Sequence, residues 1–221
     1  MIAADRVKTD ETQQATRDVN VQLKGKSATR FGREHLYLAA LISGGVLLVL
    51  SLLLPYWTIT LHAPQYPMGL DVGAYTYKLT GDVSEVDGLN HYIGMTPLND
   101  AATIERAISR IVIPIIAVLA VASFWMRGIW RWLAITPVIS YPIVFVVDLA
   151  IWLYYAGHSL DPTAALSSSI KPFTPRVFGS GAIGQFTTSA QFQMGFYLAL
   201  VAAALVLVAT IIGRPRQAAD S

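Results

Sequence analysis

Four long apolar segments alternate with polar ones along the chain. They cover about residues 36–56, 108–126, 132–155 and 193–213. A helix of about 20 residues crosses the roughly 30 Å of hydrocarbon in a bilayer, so each segment is long enough to span it. The short polar turn around Arg127 predicts an antiparallel helical hairpin between the second and third segments. The pattern therefore predicts an all-α integral membrane protein built as a four-transmembrane-helix bundle.

Two longer segments, residues 57–107 and 156–192, lie on the same side of the predicted bundle. Runs rich in β-branched and aromatic residues at 58–61 and 75–80 favour strands, and prolines and glycines separate these runs. Unstructured loops of this length are uncommon in compact proteins. We therefore expect a small extracytoplasmic cap with some β character, and we expect it to carry the function.

The two ends of the chain are polar. Residues 1–34 mix charges, contain no aromatic residue before Phe31 and lack the apolar run of a signal peptide, which predicts a disordered, retained tail. Residues 214–221 form a short second tail. Of the 16 Lys and Arg residues, 11 fall on the side of the tails and of the Arg127 turn. Because cytoplasmic loops carry the excess of Lys and Arg, both ends are predicted to be cytoplasmic.

Composition agrees with a lipid environment and narrows the chemistry. The chain is 54% hydrophobic and 14% charged, whereas soluble domains carry about 25% charged residues. A net charge of +2 gives no reason to expect nucleic acid as a partner. The absence of cysteine from the sequence excludes disulfides, thiolate metal sites and cysteine nucleophiles. No catalytic motif was found, so a non-enzymatic role is predicted.

Histidines and methionines gather in the first extracytoplasmic segment, where the candidates for a metal site are His62, Met68, His91 and Met95. Imidazole and thioether ligands favour copper, above all Cu(I). His91 and Met95 are four residues apart and would share one face of a helix, although Gly94 favours only a short turn. In the competing structural interpretation, the histidines bond to backbone groups and the methionines fill a small core.

Asp148 lies inside the third apolar segment, nearer to its extracytoplasmic end. A carboxylate at that depth is costly if it faces lipid, so it is expected to face the bundle. It could serve as a proton or ion site. The favoured structural interpretation is a helix–helix contact, for example with Arg110, or a side chain that snorkels towards the membrane surface.

Three sequence runs carry a resemblance to a known family. They are Ala-Pro-Gln-Tyr-Pro-Met-Gly-Leu at 63–70, Leu-Asn-His-Tyr-Ile-Gly-Met at 89–95, and Lys-Pro-Phe-Thr-Pro at 171–175 followed by Gly-Gln-Phe at 184–186. Together they resemble small four-helix membrane proteins encoded beside bacterial nitrous-oxide reductase and copper-processing genes. The resemblance implies an accessory protein for a periplasmic copper enzyme, located in the inner membrane of a bacterium, with His91 and Met95 as motif positions.

We therefore expect an accessory membrane protein that supports a copper-dependent or respiratory enzyme, by copper handling or by partner docking through its extracytoplasmic loops. His91 and Met95 would be copper ligands, with His62 as a third. Its partners would be membrane lipid and a protein, either a copper enzyme, its chaperone or the subunits of a complex. The alternative is a structural subunit of a larger membrane oxidoreductase or monooxygenase complex.

Overall fold

The computed structural model of the chain describes residues 34–166, 171–183 and 186–212, together with Arg17. Apart from Arg17 and Glu34, the two predicted tails, 1–34 and 214–221, lie outside these residues. The helices of this part of the chain are α1 (Glu34–Ser51), α2 (Val83–Ile93), α3 (Thr103–Ala122), α4 (Ile129–His158) and α5 (Met194–Ile212). The strands are β1 (Trp57–Ala63), β2 (Tyr66–Ala74), β3 (Leu79–Gly81), β4 (Gly179–Ile183) and β5 (Phe186–Phe192).

The predicted fold class was wrong. The chain is not an all-α four-helix bundle, because the described residues form five helices and a five-stranded antiparallel sheet. Three of the helices, α1, α4 and α5, are long and apolar enough to cross a membrane, so the chain is a membrane protein, as predicted. The second predicted span, 108–126, falls mostly within α3, which is not among these helices. Three charged residues within the first eight positions of α3 account for this: Glu105, Arg106 and Arg110.

The sheet combines strands from the two segments that were predicted to be extracytoplasmic, in the order β3-β2-β1-β5-β4. Strands β1, β2 and β3 come from the first segment, and β4 and β5 from the second. The two segments meet where β1 pairs with β5, in a register that runs from Trp57 opposite Phe192 to His62 opposite Thr187. One continuous sheet therefore joins the two segments, and it contains more strands than the predicted runs at 58–61 and 75–80.

Strand β2 was not predicted, because its prolines and glycines suggest a break in the chain. Pro67 lies beside a register shift between Leu61 and Ala63 of β1. The pairing of β2 with β3 begins only at Val72. Proline lacks an N–H and is tolerated at such irregular or unpaired positions of a strand, so Pro67 interrupts no regular hydrogen-bond ladder.

The sheet stands directly on the ends of α1 and α5. The backbone N–H of Gln193 donates to the carbonyl oxygen of Tyr56 (2.9 Å), and that of Gly195 donates to the carbonyl oxygen of Pro55 (2.9 Å). The Tyr56 side chain is fully buried and packs on the ring of Phe145 in α4, with 4.9 Å between the centroids. These contacts hold the sheet at one end of the helices.

Two cores follow from this arrangement. The larger one joins α1, α3, α4 and α5 through buried residues that include Leu48, Ile113, Val138 and Val206. The smaller one lies between the sheet and α2, which covers Leu70 and Val72 of β2 with Val86. One face of the sheet is therefore turned towards α2, and the opposite face is turned away from it.

Exposed aromatic side chains form a band at each end of α4. Trp130 and Trp132 are exposed at the end remote from the sheet, and Tyr154 and Tyr155 are exposed at the sheet end. At a rise of about 1.5 Å per residue, Trp132 and Tyr155 are about 35 Å apart. Tryptophan and tyrosine are enriched at membrane–water interfaces, and this separation is close to the thickness of a bilayer core.

Candidate functional site

The site begins where α2 ends. Gly94 adopts a left-handed conformation (φ 80°) directly after the last helical residue, Ile93. The backbone N–H of Gly94 donates to the carbonyl oxygen of His91 (3.3 Å), and that of Met95 donates to the carbonyl oxygen of Asn90 (2.9 Å). This is the Schellman arrangement that closes a helix. The sequence run 89–95 is thus the end of an 11-residue helix rather than a short turn.

A second segment, residues 159–166, is held against the end of α2 by backbone hydrogen bonds. The N–H of Asp161 donates to the carbonyl oxygen of Gly94 (2.8 Å), and the N–H of Leu166 donates to that of Tyr92 (2.9 Å). The segments approach so closely that a Cβ on Gly94 would lie 2.6 Å from the carbonyl oxygen of Asp161. Between them lies an open cleft that is lined by residues of both, including His91, Met95 and Asp161.

The charge in this cleft comes from Asp161. Its carboxylate accepts hydrogen bonds from the backbone N–H (2.8 Å) and the hydroxyl (2.7 Å) of Thr163. These bonds lower the pKa of Asp161, and the neighbouring His91 lowers that pKa further. The carboxylate is therefore ionised at neutral pH in the cleft that His91 lines. Asp161 was not predicted from the sequence, although Asp-Pro-Thr is a typical turn in which an aspartate bonds to the backbone two residues on.

The structure separates His62 from His91 and Met95. Side chains alternate between the two faces of a strand, and Leu61 lies on the face that α2 covers. His62 is therefore on the opposite face, where it is exposed and its ring lies against Gly69 of β2. Met68 is 93% exposed on β2 and does not line the cleft.

The donors in the cleft fit copper better than they fit a hard cation. In the part of the chain that the structure describes, no group of three or more His, Cys, Asp or Glu residues could hold a metal ion. His91 and Met95 bring an imidazole and a thioether to one cleft, and this is a donor pair that Cu(I) accepts. Copper binding here stays a prediction, now with Asp161 as the nearby negative charge.

A cavity of about 400 Å³ lies on the other side of Met95, between the sheet, α2, α3 and α4. Asp148 of α4 is one of the residues that line this cavity. Arg110, considered as its partner, instead has its guanidinium carbon 4.6 Å from the ring centroid of Tyr77. Met95 lines both the cleft and the cavity.

Two polar groups in the cavity wall lack partners. The side-chain nitrogen of Asn90 and the hydroxyl of Thr76 are buried and have no hydrogen-bond partner among the described residues. Both residues line the cavity. Neither residue was predicted from the sequence, because no local pattern indicates which polar side chain folding will bury.

The fold and the site define a membrane protein whose sheet domain, at one end of its helices, carries an open cleft and borders a second, partly open cavity. In comparisons with known proteins, the chain matches no protein-family model and no curated protein.

Proposed function

We propose that the protein is an accessory membrane protein that supports a copper-dependent or respiratory enzyme, and that its sheet domain handles copper or docks the partner through the cleft at the end of α2. The observation that supports this proposal is the meeting of His91 and Met95 in one open cleft. The resemblance of the 89–95 run to proteins encoded beside copper-processing genes supports it as well.

The backbone around the cleft favours a preformed site. Hydrogen bonds from Asp161 and Leu166 fix the second segment to the end of α2, so a metal ion would not have to order either segment. His91 and Met95 would hold the ion. The ionised Asp161 would attract a cation to the cleft, because a cleft lined by one sign of charge raises the local concentration of the opposite charge.

The test is a titration of the purified full chain with Cu(I) in competition with a chromogenic chelator. We expect the double variant His91→Ala/Met95→Ala to bind Cu(I) more weakly by at least about tenfold, since even the loss of groups that only support metal ligands costs 10- to 100-fold.

A matched control removes the same residue types outside the cleft. The double variant His62→Ala/Met68→Ala takes away one exposed histidine and one exposed methionine from the sheet. It should bind Cu(I) as the parent does. Equal losses in the two double variants, or no loss in either, would rule out His91 and Met95 as ligands.

The alternative, a structural subunit of a larger oxidoreductase or monooxygenase complex, is favoured by a different observation. Three large apolar side chains are exposed although they do not lie on the helices that could span a membrane. They are Met68 (93%), Phe178 (63%) and Tyr92 (58%). Residues of this kind are enriched at protein interfaces. Co-purification from native membranes distinguishes the two functions, because a subunit would be recovered in a stoichiometric complex.

We further propose that the membrane is the cell membrane of a bacterium and that both ends of the chain are cytoplasmic. The sheet follows the end of α1 and precedes the start of α5. The start of α1 and the end of α5 therefore point away from the sheet. This supports the placement of both ends of the chain on the same side of the membrane. Arg127 and Arg131 lie at that same end, between α3 and α4 or early in α4.

A further inference from the structure

The turn between β2 and β3 is fixed at the place where the sheet meets the helices. Tyr56, which lies between the end of α1 and the start of β1, donates its backbone N–H to the carbonyl oxygen of Ala74, the last residue of β2 (2.8 Å). The hydroxyl of Ser109 in α3 donates to the carbonyl oxygen of Thr76 in the turn (2.9 Å). Two hydrogen bonds therefore hold the turn next to the end of α1 and against α3.

This place lies at one end of a helix that can span a membrane. The 18 residues of α1 extend over about 27 Å at a rise of about 1.5 Å per residue. That length is close to the roughly 30 Å of hydrocarbon in a bilayer. The turn that is bonded next to the end of α1 therefore lies at the level of the lipid headgroups, in the leaflet on the side of the sheet.

Two cations and two aromatic rings meet at this turn. A hydrogen bond from the backbone N–H of Tyr75 to the carbonyl oxygen of Lys78 closes it (2.9 Å). The ammonium of Lys78 lies 4.8 Å from the ring centroid of Tyr75 and 5.6 Å from that of Tyr77. The guanidinium carbon of Arg110, which α3 contributes, lies 4.6 Å from the centroid of Tyr77. Both positive charges are therefore beside one ring, that of Tyr77.

Within the described part of the chain, the two cations have no anionic partner. Neither the ammonium of Lys78 nor the guanidinium of Arg110 makes an ion pair or a hydrogen bond with a described residue, and both side chains are exposed. Arg106, one turn earlier in α3, instead donates to the backbone carbonyl oxygens of Asn99 and Ala102. A guanidinium that rests on an aromatic face keeps its N–H donors for an oxyanion. The cluster therefore offers two unused cations in fixed positions.

The exposed surface of α3 beyond the cluster is apolar. After Arg110 the helix contains no further charged residue, and its exposed side chains there include Ile111 (65%), Ile115 (51%) and Val118 (67%). A ligand at the cluster would meet positive charge at its polar end and apolar side chains beside it. A phospholipid has both parts, whereas a free anion or an acidic side chain of a partner protein would use the charges alone.

We propose that Lys78 and Arg110 bind the phosphate of an anionic phospholipid in the leaflet on the side of the sheet, and that Tyr75 and Tyr77 hold the two cations in place. Arginine binds phosphate through paired N–H···O bonds, and basic pockets beside membrane helices bind lipid headgroups. Two positive charges favour a headgroup with a net negative charge over a zwitterionic one. Because the rings position the cations before the lipid arrives, little side-chain freedom is lost on binding. The site is separate from the cleft at the end of α2 and does not depend on copper.

The test is native mass spectrometry of the purified full chain in detergent, titrated with phosphatidylglycerol or with phosphatidylcholine of the same acyl chains. The parent should retain phosphatidylglycerol more tightly. The double variant Lys78→Gln/Arg110→Gln should bind phosphatidylglycerol more weakly by at least about tenfold, as expected for the loss of hydrogen bonds between charged groups. Since neither side chain bonds to the rest of the described chain, the variant should unfold at the same temperature as the parent.

The matched control is Lys171→Gln/Arg176→Gln. It removes one exposed lysine and one exposed arginine from the segment that precedes β4 and leaves the cluster intact. Both double variants lower the net charge equally, so a difference between them reports the position of the charges. The control should retain phosphatidylglycerol as the parent does. Equal losses in the two double variants, or no loss in either, would overturn the proposal.

The role of the ring is tested at Tyr77. Tyr77→Phe keeps the ring and should bind phosphatidylglycerol as the parent does. Tyr77→Leu keeps both cations but removes the ring, and should weaken binding about two- to fivefold, the usual effect of an exposed cation–ring contact. Equal binding by the two variants would contradict a positioning role for the ring.

Competition and co-purification separate the lipid from other anions. Inorganic phosphate, compared with sodium chloride at the same ionic strength, should leave phosphatidylglycerol bound, because a free anion cannot use the apolar side chains of α3. Displacement by phosphate alone would overturn the assignment to a lipid in favour of a free-phosphate site. Unchanged lipid retention in Lys78→Gln/Arg110→Gln, together with the loss of a co-purifying protein from native membranes, would overturn it in favour of an acidic partner.

Discussion

At the scale of single residues, the close approach of α1 and α5 depends on the missing side chain of Gly44. A Cβ at this position would lie 2.7 Å from Cγ2 of Val206 and 3.2 Å from the carbonyl oxygen of Ala202. Val206 and Ala202 belong to α5 and are fully buried. Helices in membranes pack closely where one of them offers small residues. Here a backbone atom and a stiff β-branched side chain leave no room for even one methyl group.

We predict that Gly44→Ala lowers the stability of the folded protein by about 1–3 kcal/mol, the usual cost of overpacking a core. The measurement is the midpoint of thermal unfolding in detergent, followed by tryptophan fluorescence. The physical cause is the displacement of α5 from α1, because neither Val206 nor the backbone of Ala202 can move without disturbing its own contacts.

Gly88→Ala is the matched control for the same chemical change. Gly88 lies inside α2, and a Cβ there would have nothing within 4 Å. Since alanine favours a helix over glycine by about 0.5–1 kcal/mol, this variant should unfold at the same or a higher temperature. If Gly44→Ala unfolds at the same temperature as Gly88→Ala, the contact between α1 and α5 does not require a glycine at position 44.

At the scale of elements, α2 is tied to the start of α3 through Asp87. Its carboxylate accepts a hydrogen bond from the backbone N–H of Leu98 (2.5 Å) and one from the side-chain amide of Asn99 (3.0 Å). The carbonyl oxygen of Asn99 in turn accepts a hydrogen bond from Arg106 of α3. The short 3₁₀ turn Leu98–Asp100 therefore links α2, which carries His91, to α3.

We predict that Asp87→Ala destabilises this link by about 1.5–3 kcal/mol, the range for hydrogen bonds to a charged group. The backbone amides of Leu98 and Asn99 should exchange with deuterium faster, measured by mass spectrometry of peptides from this turn. Glu85→Ala is the control, since Glu85 is exposed on the same helix and its carboxylate bonds to the adjacent Ser84. Unchanged exchange in Asp87→Ala would show that the link is dispensable.

The sequence predicted some elements and not others, for physical reasons. Long apolar runs are a local signal, so the predictions 132–155 and 193–213 coincide with α4 and α5 to within a few residues. Strand β2 was not predicted because it contains Pro67. This proline is tolerated because the strand pairing beside it is irregular. Helix α2 was not predicted because many of its residues are polar and because Gly88 lowers the helix propensity of the segment.

At the scale of the whole molecule, what the sequence could not supply is long-range pairing. Strands β1 and β5 are joined in register although more than 120 residues separate Trp57 from Phe192, and no local pattern encodes such a partner. The candidate site divides in the same way. His91 and Met95 could be selected as neighbours in sequence, whereas Asp161, Asn90 and Thr76 became visible only when folding brought two segments together or buried a polar atom.

The orientation of the whole molecule is the remaining prediction, and the absence of cysteine from the sequence makes it easy to test. The excess of Lys and Arg at the end remote from the sheet predicts that this end is cytoplasmic, which puts the sheet and its cleft outside the cell. Single cysteines at Met68, 93% exposed in the sheet, and at Arg127, exposed in the turn before α4, report the two ends. A membrane-impermeant maleimide should label Met68→Cys in intact spheroplasts and Arg127→Cys only after permeabilisation, while the parent chain remains unlabelled. The reverse pattern would place the cleft in the cytoplasm, and would thereby exclude the handling of copper for an enzyme outside the membrane.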